Sequence, residues 1–172
     1  MAIDAAKTAA LVFVAAILQV SVLNATAPFG GSPDIVLVVL VAVALLRGSV
    51  YGAAAGFFAG LVIDTATLST LGFTSLLLVL AGYWTGRYGE TTGRDRAHAP
   101  LVSVAVITLL LAVGALGLRF MLAQETSAAA VFDGLAPTVL WNALLAVPVY
   151  ALCRRILGRR EAPRAREIEV LG

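Results

Sequence analysis

Charge is scarce in this chain, and so are the side chains that most chemistry needs. Of 172 residues only 13% are charged, one is cysteine and one is histidine. One cysteine cannot close an internal disulfide, and one histidine cannot anchor a histidine-based metal cluster. The chain carries no Gly-rich phosphate loop with its lysine, no HExxH and no CxxC pair. These absences leave an enzyme, a metal site or a cofactor site without residues to stand on, and nothing marks a nucleic-acid partner. What is abundant is apolar: 60% of the residues are hydrophobic and the mean hydropathy is +0.97. A soluble domain runs near about 45–50% apolar and about 25% charged, so an ordinary water-soluble fold is excluded.

Six apolar stretches, 8–27, 33–47, 49–64, 72–88, 100–122 and 135–153, read as membrane spans of an all-α bundle. Pro28, Gly30, Gly31 and Pro33 break the first from the second, while Pro100 and Pro137 stand where helices start. Lysine and arginine set the orientation. With the N-terminus cytoplasmic, all of the 12 basic residues except Arg119 fall inside. Both termini are then cytoplasmic, and Tyr83, Trp84 and Tyr88 form an aromatic anchor at the inner interface. Lys7, the apolar core from Ala9 to Leu18 and Ala25-Thr26-Ala27 also fit a cleavable signal peptide. Asp4 and the length of the stretch favour a retained span.

Residues 1–153 thus form a six-span domain and 154–172 a basic cytoplasmic tail, led by Arg154, Arg155, Arg159 and Arg160. Such a tail fixes topology and pairs with anionic membrane lipid, at about 1 kcal/mol per basic residue near the surface. It would also suit a cytoplasmic docking partner. The loops at 89–99 and 123–134 are too short for a soluble catalytic domain. His98 lies in the first of them among charged residues, and Cys153 reads as a small apolar filler. Gln19 and Asn142 are single polar groups suited to interhelical hydrogen bonds. Arg119 is expected to snorkel outward or to pair with Glu125 or Asp133.

The most informative stretch runs from Pro33 to Gly72. Gly48, Gly52, Gly56 and Gly60 recur at every fourth residue, and Asp64 takes the next step of the row. Residues four apart share one helix face, so this is a glycine groove ending in a carboxylate. Small-xxx-small rows let helix backbones approach closely, whether the facing helix is internal or a partner's. Asp34 opens the second span, 13 residues before Arg47. At 1.5 Å per residue that places it about 20 Å from the inner turn, short of a hydrocarbon core about 30 Å thick. The antiparallel pair of spans brings Asp64 to similar depth, beside Asp34. Both acids are costly there and are candidates for lining an outward cavity. They equally suit structural work: Asp34 as a helix cap after Pro33, Asp64 as a tie for the loop holding Thr65, Thr67, Ser69 and Thr70.

Pro33-Asp34, then Gly52-x3-Gly56-Phe57-x2-Gly60 leading to Asp64, then Ser69-Thr70-Leu71-Gly72, resembles the MreD family of bacterial rod-shape-determining membrane proteins. The likeness covers about 40 residues at motif level. It implies a non-enzymatic scaffold of the cell-elongation complex in the bacterial plasma membrane, acting on cell shape and peptidoglycan synthesis. It also implies direct binding of MreC, and company with MreB, RodZ, RodA and its partner transpeptidase. The fold it implies is a six-helix transmembrane bundle similar to the substrate-binding subunits of energy-coupling-factor transporters. A cavity beneath Asp34 and Asp64 would instead suit a substrate-capturing subunit of a vitamin or metal transporter. The outer loops lack the aromatic and polar density that such capture calls for.

Overall fold

The computed structural model describes residues 2–23, 32–92, 99–123 and 128–158. Among these it is helical throughout, with no strand. The helices are α1 (Ala2–Leu18), α2 (Ile35–Arg47), α3 (Ser49–Ala66), α4 (Phe73–Thr92), α5 (Ala99–Met121), the short α6 (Ala128–Asp133) and α7 (Leu135–Leu157). Five of the six apolar stretches match α2, α3, α4, α5 and α7 to within a few residues, and the first overlaps α1, its end at 24–27 lying outside the described residues. The cleavage-site triplet, His98, Glu125 and the tail from Arg159 onward fall outside the described residues.

Helix α2 is the axis of the bundle. Its sequence IVLVVLVAVALL is apolar all round, and every residue from Val36 to Arg47 is buried. A helix without a polar face has to be surrounded by apolar matter on all sides. Here α1, α3, α4, α5 and α7 all pack against it. The outer helices present the remaining apolar side chains outward, among them Phe58, Trp84, Leu110, Val113, Leu140 and Leu144. An exposed apolar mantle around a buried apolar centre is the pattern of a protein solvated by lipid.

Among the described residues, three helices are long and apolar enough to cross a membrane: Ser49–Ala66, Ala99–Met121 and Leu135–Leu157. At 13 residues α2 spans only about 20 Å by the helical rise, less than the hydrocarbon thickness. Helix α1 gains reach from a wider π-type turn over Gln19–Leu23. Pro100 and Pro137 lie in the first turns of α5 and α7, where the amide that proline lacks would have no helical partner. Pro148 stands inside α7, where one backbone bond is forfeited.

The helices alternate in direction, giving the bundle an Asp34 end and an Arg47 end. At the Arg47 end, the Arg47 guanidinium donates to the Leu157 carbonyl, and Lys7 Nζ donates to Ile156 O at 3.3 Å. Both contacts supply donors to the last carbonyls of α7, which carry the negative end of its dipole. Glu90 performs the converse role at the start of α3, accepting from Ser49 N at 2.8 Å. Gly48 joins α2 to α3 in a single residue at φ 97°, a left-handed backbone that glycine adopts without a Cβ penalty.

Candidate functional site

The glycine row of α3 faces α4, and the two form the most extensive helix pair in the bundle. A Cβ built on Gly52 would come under 3.0 Å from the Gly82 carbonyl, one on Gly56 from Leu78, and one on Gly60 from Ser75. The contact is reciprocal. A Cβ on Gly82 would strike Gly52, and one on Gly86 would strike Ser49 and Gly48. Backbone therefore lies on backbone along most of the interface, the close approach that small residues permit in lipid. The α4 half, Ser75, Gly82 and Gly86, was readable as a second small-residue row but is interrupted by Leu78 and Val79. Gly48 stands between α2 and α3 as the turn residue, and its backbone still meets α4 at Gly86.

Asp64 ends this row, fully buried. Its carboxylate accepts from Ser69 Oγ at 3.2 Å, Gly72 N at 2.8 Å and Thr74 N at 3.2 Å. Its carbonyl accepts from Ser69 N at 3.1 Å. One side chain thus closes the whole α3–α4 loop and satisfies the first amides of α4, which have no helical acceptor. Leu68 adopts φ 52° and Gly72 φ 89° within that loop. The left-handed leucine costs about 1–2 kcal/mol, which the bonds to Asp64 offset. Ser69 joins this network, while Thr65 and Thr67 bond back to carbonyls of α3.

Asp34 and Asp64 share no hydrogen-bond partner among the described residues, and of the two only Asp34 lines the cavity described below. Asp34 caps α2, its Oδ1 accepting from Leu37 N at 2.9 Å. Its own amide donates to Asn142 Oδ1 at 2.7 Å, and Asn142 Nδ2 donates to Thr108 Oγ1 at 3.1 Å. Gln19 completes the arrangement: Nε2 donates to Pro33 O at 3.2 Å and Oε1 accepts from Ile35 N at 2.8 Å. The start of α2 is therefore held by α1, α5 and α7 together. Asparagine and glutamine can do this because each carries both a donor and an acceptor.

Below this network lies a cavity of about 510 Å³ bounded by α2, α4, α5 and α7. Asp34, Thr74, Thr138, Asn142 and Arg119 line it, with Leu77, Leu111, Ala112 and Ala115 forming its apolar wall. Arg119 does not pair with Asp133; its guanidinium lies 5.9 Å over the Phe73 ring. Asp64 is outside the lining, behind Thr74. A second, apolar groove of about 670 Å³ runs between α1 and α3, past Ala9, Phe13, Ala54 and Phe58. The described residues hold no group of three or more metal-ligating side chains.

The fold and these sites define an all-helical membrane protein whose polar residues tie helices together. The family model of rod shape-determining protein MreD matches residues 6–159. The chain belongs to that family, and its general role is shape determination through a rod-shape complex. No curated protein and no solved structure matches it.

Proposed function

We propose that this protein is a non-enzymatic scaffold of the bacterial cell-elongation complex. It binds MreC directly and, with MreB, RodZ, RodA and the partner transpeptidase, helps control cell shape and peptidoglycan synthesis. The observation that carries this reading is the family match over residues 6–159. The likeness to substrate-binding subunits of energy-coupling-factor transporters belongs to the same reading and rests on the family resemblance alone.

In this reading residues 1–153 are a six-span domain in the plasma membrane, followed by a basic tail over 154–172 that meets anionic lipid. The Arg47 end is cytoplasmic, as are both termini. Lys7, Arg47, Arg87, Arg154 and Arg155 supply the support: their helices place all five at that end, leaving Arg119 at the other.

Gly52, Gly56 and Gly60 serve internal packing, since α4 already covers them. MreC's single membrane span needs another face, and we assign it the α1–α3 groove, whose Ala9 and Ala54 are exposed. The test is co-purification of MreC with the parent and with Ala54→Trp, beside the shape of cells relying on each. Co-purification with the parent, loss with the variant and rounded cells are expected. Rod-shaped growth without the protein, or no MreC on the parent, overturns the function. Full binding by Ala54→Trp overturns only the groove.

A further inference from the structure

Two opposite charges line one cavity without touching. Asp34 and Arg119 both face the 510 Å³ space among α2, α4, α5 and α7. Among the described residues, no ion pair within 4.0 Å joins them or engages either one. Asp34 commits one oxygen, Oδ1, to the Leu37 amide, and its other oxygen has no hydrogen-bond partner among the described residues. Arg119 lies over the Phe73 ring, a face contact that leaves the guanidinium N–H edge unengaged by any described acceptor.

An acid and a base held apart within a helical bundle are costly, and a ligand carrying both complementary charges offsets the cost of each. The volume falls within the roughly 300–1,000 Å³ typical of small-ligand sites. Thr138 adds a hydroxyl, and Leu77, Leu111 and Ala115 continue the lining as apolar wall. Among the helix pairs around the cavity, α4–α5 and α2–α5 are the least closely packed, and of these only α4–α5 joins two outer helices. At that seam Gly114 of α5 faces only the end of the Leu77 side chain of α4. An amphiphile could therefore enter sideways, its polar end between the charges and its chains along the seam.

We propose that this cavity binds a zwitterionic phosphate headgroup, its ammonium at Asp34 and its phosphate at Arg119, supplied by phosphatidylethanolamine of the surrounding leaflet. The placement in the outer leaflet rests on the orientation proposed above; the charge pairing does not. A soluble zwitterion such as phosphoethanolamine offers the same chemistry, so the test separates the two sources.

The full chain in mild detergent is titrated by native mass spectrometry with phosphatidylethanolamine, with phosphatidylglycerol of identical acyl chains, and with soluble phosphoethanolamine. The expected result is one phosphatidylethanolamine bound about tenfold or more tighter than phosphatidylglycerol, the scale of one well-placed charge contact. Asp34→Asn should remove that preference while keeping the acceptor that Leu37 uses. Arg119→Gln should weaken both lipids about tenfold or more and leave their ratio, because both carry the phosphate. Saturable phosphoethanolamine binding lost in Arg119→Gln, without lipid preference, upholds the charge pairing and overturns the lipid source. Equal binding of both lipids to the parent with no phosphoethanolamine binding overturns the proposal, as does unchanged lipid affinity in Arg119→Gln. If Asp34→Asn does not fold, the parent's lipid preference together with the affinity lost in Arg119→Gln decides. Cell shape reports on the scaffold reading separately, so failure of one leaves the other standing.

Discussion

Asn142 Oδ1 accepts the backbone amide of Asp34 at 2.7 Å across 108 residues of chain. The same side chain donates to Thr108. One amide thereby ties the start of α2 to the middles of α5 and α7. Because Asn142 is completely buried, none of these groups has water as a substitute. The axis helix of the bundle is positioned by hydrogen bonds at its Asp34 end and by the Arg47–Leu157 contact at the other. Between those ends its own side chains are wholly apolar and set no register.

Replacing Asn142 by leucine keeps the branched heavy-atom skeleton, with bulkier ends, and removes both bonds. Interhelical bonds in membrane proteins average about 0.6 kcal/mol, with some reaching about 1–2 kcal/mol. Asn142→Leu should therefore cost about 1–2 kcal/mol, because the Asp34 amide is also left without its acceptor. Thr108→Val, which loses one interhelical bond and a local one to the Val104 carbonyl, should cost less. Reversible unfolding in mixed micelles checks the order, and equal stability of both variants with the parent would show the network to be dispensable.

The α3–α4 interface makes an opposite pair of expectations for glycine. Gly56→Ala puts a methyl group where the Leu78 backbone already stands. Overpacking of this kind costs about 1–3 kcal/mol, and Gly56→Leu should cost more or abolish folding. Gly117→Ala meets nothing and lies within α5, so it should be neutral or stabilising by up to about 1 kcal/mol through helix propensity. Ser75 adds a third case: its buried hydroxyl has no partner among the described residues, so Ser75→Ala should not destabilise. Thermal melting in detergent checks all three.

The helices were largely legible because turn chemistry and apolar length act locally. Pro100 and Pro137 mark the starts of α5 and α7 to within two residues. The close contact at Gly52, Gly56 and Gly60 was legible as a row, but not its partner. Spacing along one helix says nothing about which neighbour fills the groove. That α2 is the axis was not legible either, since an apolar stretch facing lipid and one facing protein have the same composition. The interhelical bonding of Asn142 was legible, but its partners, and the roles of Arg119 and Glu90, depend on contacts distant in sequence or on a cavity built from four helices, information that no local pattern holds. Leu68 in a left-handed conformation is likewise set by Asp64 and not by its own preference.

Orientation has a direct chemical test. Cys153 is buried, so it is a poor reporter of sidedness and is best replaced by alanine. Ala123 and Gly158 are exposed at opposite ends of the bundle. Ala123→Cys should react with a membrane-impermeant maleimide added to intact cells, and Gly158→Cys only after permeabilisation. The opposite pattern would reverse the orientation proposed from the basic residues.

Asp64 offers the sharpest separation between closing a loop and serving chemistry. Its carboxylate takes two backbone amides and one hydroxyl, all from residues 69–74. Asparagine retains one acceptor oxygen and presents an NH2 group where the second acceptor was. One of the two amides, Gly72 N or Thr74 N, then keeps its partner and the other faces a donor. Alanine leaves both unsatisfied, at about 1–3 kcal/mol for each buried group. The expected order of stability is parent, Asp64→Asn, Asp64→Ala, with the last losing about 2–4 kcal/mol after partial relaxation of the loop. Leu68→Asn should recover part of the loss in either background, because asparagine tolerates the left-handed region that leucine resists. Melting temperatures and MreC co-purification are measured on the same preparations. If Asp64 only closes the loop, partner binding falls in step with stability and Leu68→Asn restores both. Loss of binding in Asp64→Asn at full stability would instead place the carboxylate in the partner's site.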